Sequence, residues 1–322
     1  MRCIVTGAAG FVGSSLCDRL LEQGDEVAGI DCFIPYYARE LKENNLARAR
    51  SNNRFQFMEQ DICTVFEGGS TAGELLDGVD VVFHQAAQAG VRASWGKDFE
   101  IYTHNNVLGT QKLLEACRTR PGIKVVYASS SSVYGETERF PMSEADPTAP
   151  VSPYGVSKLA AEHLARLYTH NFGVHTVSLR YFTVYGPRQR PDMAFHRIIK
   201  SILKNEEFHL FGSGEQTRDF TFIGDIVQAN IDAAQRGTAG GFYNLGGGTR
   251  ISMNDVIALI EKVTGKRAKV QREARQHGDV SNTGADVSRA KASFGFQPKV
   301  GLEEGLRREA EFIESVVLPL GL

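Results

Sequence analysis

The chain has 322 residues, of which 42% are hydrophobic and 23% are charged, and its formal net charge is −2 at pH 7. This length predicts two domains, with enough buried apolar surface to fold without disulfide or metal staples. The balanced charge excludes the broad basic field that attracts nucleic acid or an anionic membrane, so we expect neither partner.

The first half of the chain alternates short apolar runs with helical patterns. This rhythm predicts an α/β fold, a doubly wound parallel sheet over residues 1–180. A looser second half predicts a smaller α/β domain over 181–322, with a return segment near 225–245. The predicted elements are strand 2–6, helix 11–23, strands 26–31, 55–60 and 79–85, helix 99–118, strand 124–129, helix 154–172, and strands 175–181, 208–211, 242–245 and 268–271.

The turn after the first predicted strand carries a G-x-x-G-x-x-G spacing and opens a helix. Such a turn lets the backbone approach a pyrophosphate and aims helix N-terminal amides at its charge. The context of strand, turn and helix favours a Rossmann-type dinucleotide site, although an unused turn of this form is the alternative. The loop residues predicted to bind a cofactor are Gly7, Gly10, Phe11, Val12 and Gly13.

Asp31 ends the second predicted strand eighteen residues after Gly13. A carboxylate at this offset accepts hydrogen bonds from an adenosine ribose. Because Asp31 would repel a 2′-phosphate, the sequence predicts NAD rather than NADP. Asp61 and Ile62, after the third strand, are predicted to contact the adenine.

Tyr154 and Lys158 lie four residues apart at the start of a predicted helix, and therefore on one face. A tyrosine is a poor base at neutral pH unless a positive charge lowers its pKa. The pair therefore indicates a general acid–base for interconverting an alcohol and a ketone, the alternative being a solvated helix face. Serines 129–132, at the end of the fifth predicted strand, offer hydroxyls where ligands bind open α/β sheets.

Together these motifs resemble the extended short-chain dehydrogenase/reductase family of nucleotide-sugar enzymes. The resemblance extends over essentially the whole chain. Its further motifs are at 84–87 (HQAA), 106–110 (NVLGT), 132–135 (SVYG), 180–182 (RYF), 212–214 (GSG), 218–220 (RDF) and 278–279 (GD).

The resemblance implies a role for each matched residue. Ser130 would be the catalytic hydroxyl and Tyr154 the base. Lys158 would bind the nicotinamide ribose and lower the tyrosine pKa. Ala86 and Asn106 would contact the cofactor.

Two arginines are implied to bind the substrate's phosphates. Arg218 resembles the family's phosphate-binding arginine. Arg275 would add a second charge, although its spacing to Asp279 is one residue longer than the family pattern.

Departures within the family narrow the expected reaction. Ser131 and Ser132 stand where 4,6-dehydratases carry Asp-Glu, and Ser132 also replaces a glutamate of UDP-glucuronate decarboxylases. Thr183 stands where most relatives have Asn. Residues 181–194 and 88–92 (QAGVR) resemble UDP-glucuronate 4-epimerases, which implies that Arg92, Arg190 and Met193 contact the substrate.

We therefore expect an NAD-dependent epimerase that inverts C4 of UDP-glucuronate through a 4-keto sugar. Ser131, Ser132 and Thr183 are predicted to hold the sugar carboxylate away from the alignment that releases CO2, while Arg190 binds either that carboxylate or the nucleotide. The alternatives are a UDP-glucuronate decarboxylase, a UDP-glucose or UDP-N-acetylglucosamine 4-epimerase, and a non-catalytic NAD sensor.

The remaining expectations concern the protein's surroundings. The scattered, odd-numbered cysteines predict a reducing compartment, and neither a signal peptide nor an apolar run of roughly 18 residues is present, which predicts a cytoplasmic protein. No metal site is expected. The resemblance implies a homodimer paired through helices near 99–118 and 154–172. The cysteines are Cys3, Cys17, Cys32, Cys63 and Cys117.

Overall fold

The computed structural model describes residues 1–68, 70–137, 139–274 and 282–322. Each strand predicted from the sequence is present to within two residues at both ends, whereas the strands at 183–185, 217–222 and 249–252 were not predicted. The strands are β1 (Arg2–Thr6), β2 (Glu26–Asp31), β3 (Phe55–Glu59), β4 (Val81–His84), β5 (Lys124–Ser130), β6 (His175–Tyr181), β7 (Thr183–Tyr185), β8 (Glu207–Phe211), β9 (Thr217–Phe222), β10 (Gly241–Leu245), β11 (Thr249–Ser252) and β12 (Lys269–Glu273).

The α-helices connect these strands and cover the sheet. They are α1 (Phe11–Glu22), α2 (Arg39–Arg50), α3 (Ile62–Val65), α4 (Ser70–Leu76), α5 (Phe99–Tyr102), α6 (Gly109–Cys117), α7 (Pro153–Phe172), α8 (Ala194–Lys204), α9 (Ile223–Arg236), α10 (Met253–Thr264), α11 (Ser288–Phe294) and α12 (Leu302–Phe312).

The main sheet is parallel and has the strand order β3-β2-β1-β4-β5-β6-β10 in the described part of the chain. Its central strand β4 is buried along its whole length, because helices pack on both faces of the sheet. The order reverses between β1 and β4, and ligands of open α/β sheets bind at such a switch point. The predicted doubly wound fold is thereby confirmed.

The later part of the chain forms two small sheets. One has the order β11-β9-β7 and the other pairs β12 with β8. Between β9 and β11 the chain returns to the main sheet, where β10 pairs with β6 and α9 packs against α1. The division at residue 180 stays a prediction.

The predicted helix over 99–118 is interrupted. A π-helical segment, Thr103–Leu108, separates α5 from α6. Such a segment inserts an extra residue into a helical turn and often marks a functional site. Here it turns Asn105 and Asn106 inward, and both are buried.

The helix α7 has strong signals at both ends. The Ser152 hydroxyl accepts a hydrogen bond from the Gly155 amide, Pro153 occupies the first turn, and Gly173 ends the helix at φ +71°. These caps set where α7 begins and ends, and thereby place Tyr154 and Lys158 beside the end of β5. No helix within the described ranges has the length and apolarity needed to cross a membrane.

Candidate active site

The loop between β1 and α1 admits no side chain at two of its glycines. A Cβ on Gly13 would lie 2.1 Å from the Gly7 carbonyl oxygen. Gly7 itself has φ +69°, and its Cβ would lie 2.8 Å from the Ala86 nitrogen. The N-cap of α1, Gly10, offers no side-chain cap to the first amides. This bare backbone against a helix N-terminus fits a pyrophosphate.

Asp31 lies at the far end of the same cavity. Its carboxylate accepts hydrogen bonds from the Ala9 amide at 3.0 Å and the Phe33 amide at 2.8 Å. Burial raises the pKa of Asp31, while these amides and the Lys42 ammonium oppose the rise. Lys42 donates to the Ile34 carbonyl at 2.6 Å. A fixed carboxylate here fits a ribose diol.

Most predicted cofactor residues line one cavity at the carboxyl end of the sheet. It is bordered by the glycine loop on one side and by α7 on the other. The predicted residues that line it are Gly7, Gly10, Phe11, Val12, Gly13, Asp31, Ile62, Ala86, Tyr154 and Lys158.

Two predicted cofactor residues point elsewhere. The Asp61 carboxylate caps α3 by accepting from the Cys63 amide at 2.7 Å. Asn106 is buried, and its amide accepts from the Gln88 nitrogen at 2.7 Å and donates to the Gln88 oxygen at 3.0 Å and to Ser157 at 2.9 Å. Because Gln88 lines the cavity, Asn106 shapes the cofactor wall indirectly.

Ser130, Tyr154 and Lys158 meet where β5 ends against α7. Lys158 is only 3% exposed, and burial lowers its pKa to about 7. Burial also raises the pKa of Tyr154, while the Ser130 hydroxyl and the positive charge of Arg190 oppose that rise. The sequence predicts Lys158 as the group that lowers this pKa. In the structure Ser130 and Arg190 are the neighbours that favour the phenolate.

A buried polar network supports the end of β5. The Ser129 hydroxyl donates to Glu162 at 2.8 Å, and Glu162 forms a salt bridge with Arg180 at 2.6 Å. Arg180 also donates to the Tyr134 hydroxyl at 2.8 Å, which in turn donates to Asn244 at 2.7 Å. The network ties the strand that carries Ser130 to α7, β6 and β10.

A second cavity, of about 520 Å³, adjoins the first and is lined largely by the later half of the chain. Sequence reasoning missed Phe208, Phe211 and Arg197, which line it from β8 and α8. The Arg92 guanidinium lies 4.6 Å over the Phe211 ring. The predicted substrate residues in this cavity are Arg92, Ser130, Ser131, Ser132, Thr183, Arg190, Met193 and Arg218.

The two cavities share a wall in which Tyr154 and Arg190 are exposed to both. Tyr36, which follows β2, also lines both cavities, and Asp192 lines the second. Neither was singled out from the sequence, although Asp192 lies in the motif that contains Arg190. Arg275, Gly278 and Asp279 lie outside the described residues.

One group of potential metal ligands occurs among the described residues. Asp61, Cys63 and His104 each bring one atom within 4.8 Å of the others. The Asp61 carboxylate already caps α3, and burial raises the pKa of the Cys63 thiol to about 11. A metal-binding thiolate is therefore disfavoured. The absence of a metal stays a prediction.

The sequence matches the family described as GDP-mannose 4,6 dehydratase over residues 4–309. A Bacillus subtilis protein named as an uncharacterized UDP-glucose epimerase is 43% identical over 98% of this chain and 99% of its own. The UDP-glucuronate 4-epimerase of Thermodesulfobacterium geofontis is 39% identical over 95% of this chain and 94% of its own.

Among solved structures, the UDP-glucuronic acid 4-epimerase of Bacillus cereus superposes with a TM-score of 0.93 at 44% identity. That alignment covers 98% of this chain and 100% of the other, which was crystallised with UDP-glucuronic acid and NAD. The chain therefore belongs to the GDP-mannose 4,6-dehydratase family, within the extended short-chain dehydrogenases/reductases.

Proposed function

We propose that the chain inverts C4 of UDP-glucuronate to give UDP-galacturonate, with NAD as its cofactor. The observation that carries this proposal is that Tyr154 lines both cavities, with Lys158 in the dinucleotide cavity and Ser130 in a second cavity lined by serine and threonine hydroxyls. The B. cereus structure, which holds UDP-glucuronic acid and NAD on the same fold, supports both ligands.

Tyr154 in the shared wall and its neighbours Ser130 and Lys158 supply the proton chemistry. The Tyr154 phenolate takes the proton of the C4 hydroxyl, and the Ser130 hydroxyl hydrogen-bonds the same oxygen as it becomes a ketone. The Ser130 hydroxyl and the Arg190 charge favour the phenolate, and Lys158 binds the nicotinamide ribose. NAD, when bound, accepts the C4 hydride and returns it. Tyr154 then returns its proton to the inverted oxygen.

The 4-keto sugar must present its other face before the hydride returns, and the second cavity has room for this turn. The intermediate is a β-keto acid, which loses CO2 when the bond to its carboxylate aligns with the carbonyl π system. Hydroxyls of Ser131, Ser132 and Thr183 line the cavity and hold the carboxylate out of that alignment. A serine at 132 lacks the acid of the decarboxylases.

The first test is proton NMR of the purified protein with UDP-glucuronate and no added NAD. We expect UDP-galacturonate and no pentose product. UDP-glucose and UDP-N-acetylglucosamine serve as competing substrates, because the B. subtilis relative carries the name of a UDP-glucose epimerase. Exclusive turnover of either neutral sugar would overturn the assignment to UDP-glucuronate.

Replacing Tyr154 with Phe separates an epimerase from an NAD sensor. The variant lacks the base, so we expect turnover to fall by roughly a thousandfold or more, in keeping with loss of a general base together with its hydrogen bond. Bound NAD, measured after denaturing the protein, should stay at the wild-type level. Undiminished turnover would remove Tyr154 from the mechanism.

The proposal includes a homodimer in the cytoplasm. Large apolar side chains are 41–53% exposed on α7 and on the adjoining segment 99–117. A single copy leaves them in water, and pairing two copies would bury them. Light scattering tests this, with Leu167→Glu expected to give monomers. The exposed apolar side chains are Ile101, Leu108, Val156, Leu167 and Phe172.

The unpaired cysteines support the reducing compartment.

A further inference from the structure

A carboxylate and a phenol hold the arginine of the shared wall. The Nε and Nη2 of Arg190 each donate to Asp192 at 3.0 Å, one to each carboxylate oxygen. The Tyr36 hydroxyl donates to Asp192 at 3.2 Å from the loop after β2. A planar guanidinium that is bound at two of its nitrogen atoms has a fixed orientation as well as a fixed position.

The neighbouring loop is shaped to admit this cluster. Gly90 has φ +105°, and a Cβ there would lie 2.4 Å from the Tyr36 hydroxyl oxygen. The Tyr102 hydroxyl donates to the Gly90 carbonyl at 2.7 Å and so holds that loop in place. Only glycine leaves room for the Tyr36 hydroxyl beside Asp192. Three segments distant in sequence therefore converge on one ion pair.

The protonation states suit this arrangement. Burial raises the pKa of Tyr36, so its hydroxyl remains a donor. Burial also opposes ionisation of Asp192, yet Arg190 and the Tyr36 hydroxyl together keep the pKa of Asp192 below its ordinary value. The cluster therefore combines an ionised carboxylate, a guanidinium and a neutral phenol.

Arg190 lines both cavities and lies close enough to Tyr154 to favour its phenolate. A long arginine side chain loses its defined geometry when its anchor is removed, because many rotamers then become accessible. We propose that Asp192, assisted by Tyr36, is a positioning residue that holds Arg190 between the cofactor and the sugar in its reactive orientation. The identity of the sugar rests on the proposed function, whereas the positioning does not.

A second ion pair in the same loop provides a matched control. Arg188, at φ +70°, donates to Asp18 of α1 at 2.8 Å. Neither residue lines the two cavities, although this pair also anchors the loop. If the Asp192 pair only stabilised the loop, breaking the Asp18 pair would have the same consequences.

The test is a double-mutant cycle on the holoenzyme with Asp192→Asn, Arg190→Ala and both together, with Tyr36→Phe and Asp18→Asn alongside. We expect Asp192→Asn to lower kcat roughly tenfold or more with a smaller change in KM, because the misplaced charge acts on the reacting groups. Tyr36→Phe should lower kcat only roughly two- to fivefold, because Arg190 still holds both carboxylate oxygens of Asp192 when this hydrogen bond is lost.

The coupling distinguishes positioning from a structural role. The double variant should be no slower than Arg190→Ala alone within roughly twofold, because Asp192 acts only through that arginine. Bound NAD should remain unchanged. Wild-type kcat in Asp192→Asn, losses that multiply in the double variant, or an equal loss in Asp18→Asn would overturn the proposal.

Failure of the proposed function is recognised separately. If the wild type turns over another UDP-sugar instead of UDP-glucuronate, the same cycle is measured with that sugar. If no UDP-sugar is turned over, calorimetric Kd values for UDP-glucuronate replace kcat. Asp192→Asn must then weaken binding roughly fivefold with Arg190 present and not in the Arg190→Ala background. Equal Kd values would again overturn it.

Discussion

The two cavities adjoin each other but are built in different ways. The first cavity, which we assign to the cofactor, includes a wall of closely packed backbone, where Gly7 lies against both Gly13 and Ala86. The second cavity is lined by long side chains such as Arg92, Arg218 and Phe211, which come from distant segments. Closely packed backbone thus shapes one wall of the first cavity, whereas long side chains from distant segments shape the second.

A hydrogen-bond chain reinforces the cofactor side. Thr6 donates to Nδ1 of His84 at 2.8 Å, and Nε2 donates to Thr110 at 2.9 Å. This tautomer follows because Thr6 already accepts from the Ala86 amide, and Thr110 donates to the Asn106 carbonyl. Burial and the Lys158 charge lower the pKa of His84 to about 3, so the ring stays neutral.

The largest expected effect is on the backbone side of this comparison. Gly13→Ala places a methyl group 2.1 Å from the Gly7 carbonyl oxygen, which cannot be relieved by turning a side chain. We expect loss of bound NAD and of turnover. Gly301→Ala is the control, because its Cβ meets nothing within 4 Å. A Gly13→Ala protein that retained stoichiometric NAD would remove the close backbone approach as the basis of this site.

The buried network beneath Ser130 should show the next effect, on stability. Glu162→Gln leaves the buried Arg180 guanidinium without its counter-ion, which costs about 3–5 kcal/mol for pairs of this kind. Chemical denaturation measures the loss. Glu303→Gln removes an exposed partner of Lys262 and should leave the unfolding midpoint unchanged. Equal midpoints for both variants would show that water screens the Arg180 pair.

The first cavity is built from local motifs and the second from distant segments, and this difference explains which residues the sequence predicts. Strand alternation and the glycine loop are local signals, so the main sheet and the positions of Gly7, Gly13 and Asp31 follow from short windows. The Tyr154 and Lys158 pair also follows from helical spacing. These residues lie in the cofactor cavity, as expected.

The remaining features depend on contacts that no short window contains. Tyr36 and Asp192 are 156 positions apart, and their hydrogen bond exists only when the loop after β2 and the loop after β7 meet. The π-helical segment that turns Asn106 onto Gln88 is invisible to a 3.6-residue period. For the same reason the sequence predicts that Lys158 lowers the pKa of Tyr154, whereas in the structure the neighbours that lower it are Ser130 and Arg190.

Ser130 lines the second cavity beside Tyr154 and should affect the pH profile of the reaction. Its hydroxyl favours the Tyr154 phenolate, so Ser130→Ala should raise the pKa of Tyr154. The base form is then reached only at higher pH, and the acid limb of kcat should move up by about one pH unit, the equivalent of one hydrogen bond to a charged group. Ser131→Ala should leave the limb in place. A shift toward lower pH would contradict the assigned hydrogen bond.

The smallest expected effect is on the side-chain wall of the second cavity, where one hydroxyl changes the outcome more than the rate. Thr183→Val keeps the shape of the side chain but removes a hydroxyl that lines the cavity. The sugar carboxylate then has one anchor fewer, so the 4-keto sugar samples the aligned geometry more often. We expect the ratio of CO2 to UDP-galacturonate to rise roughly fivefold, the equivalent of about 1 kcal/mol.

Carbon-13 NMR with carboxyl-labelled UDP-glucuronate measures both products of the Thr183→Val protein in one sample. Thr249→Val, on β11 outside both cavities, is the matched control. An unchanged ratio would mean that the carboxylate is held by Ser131 and Ser132 without help from β7.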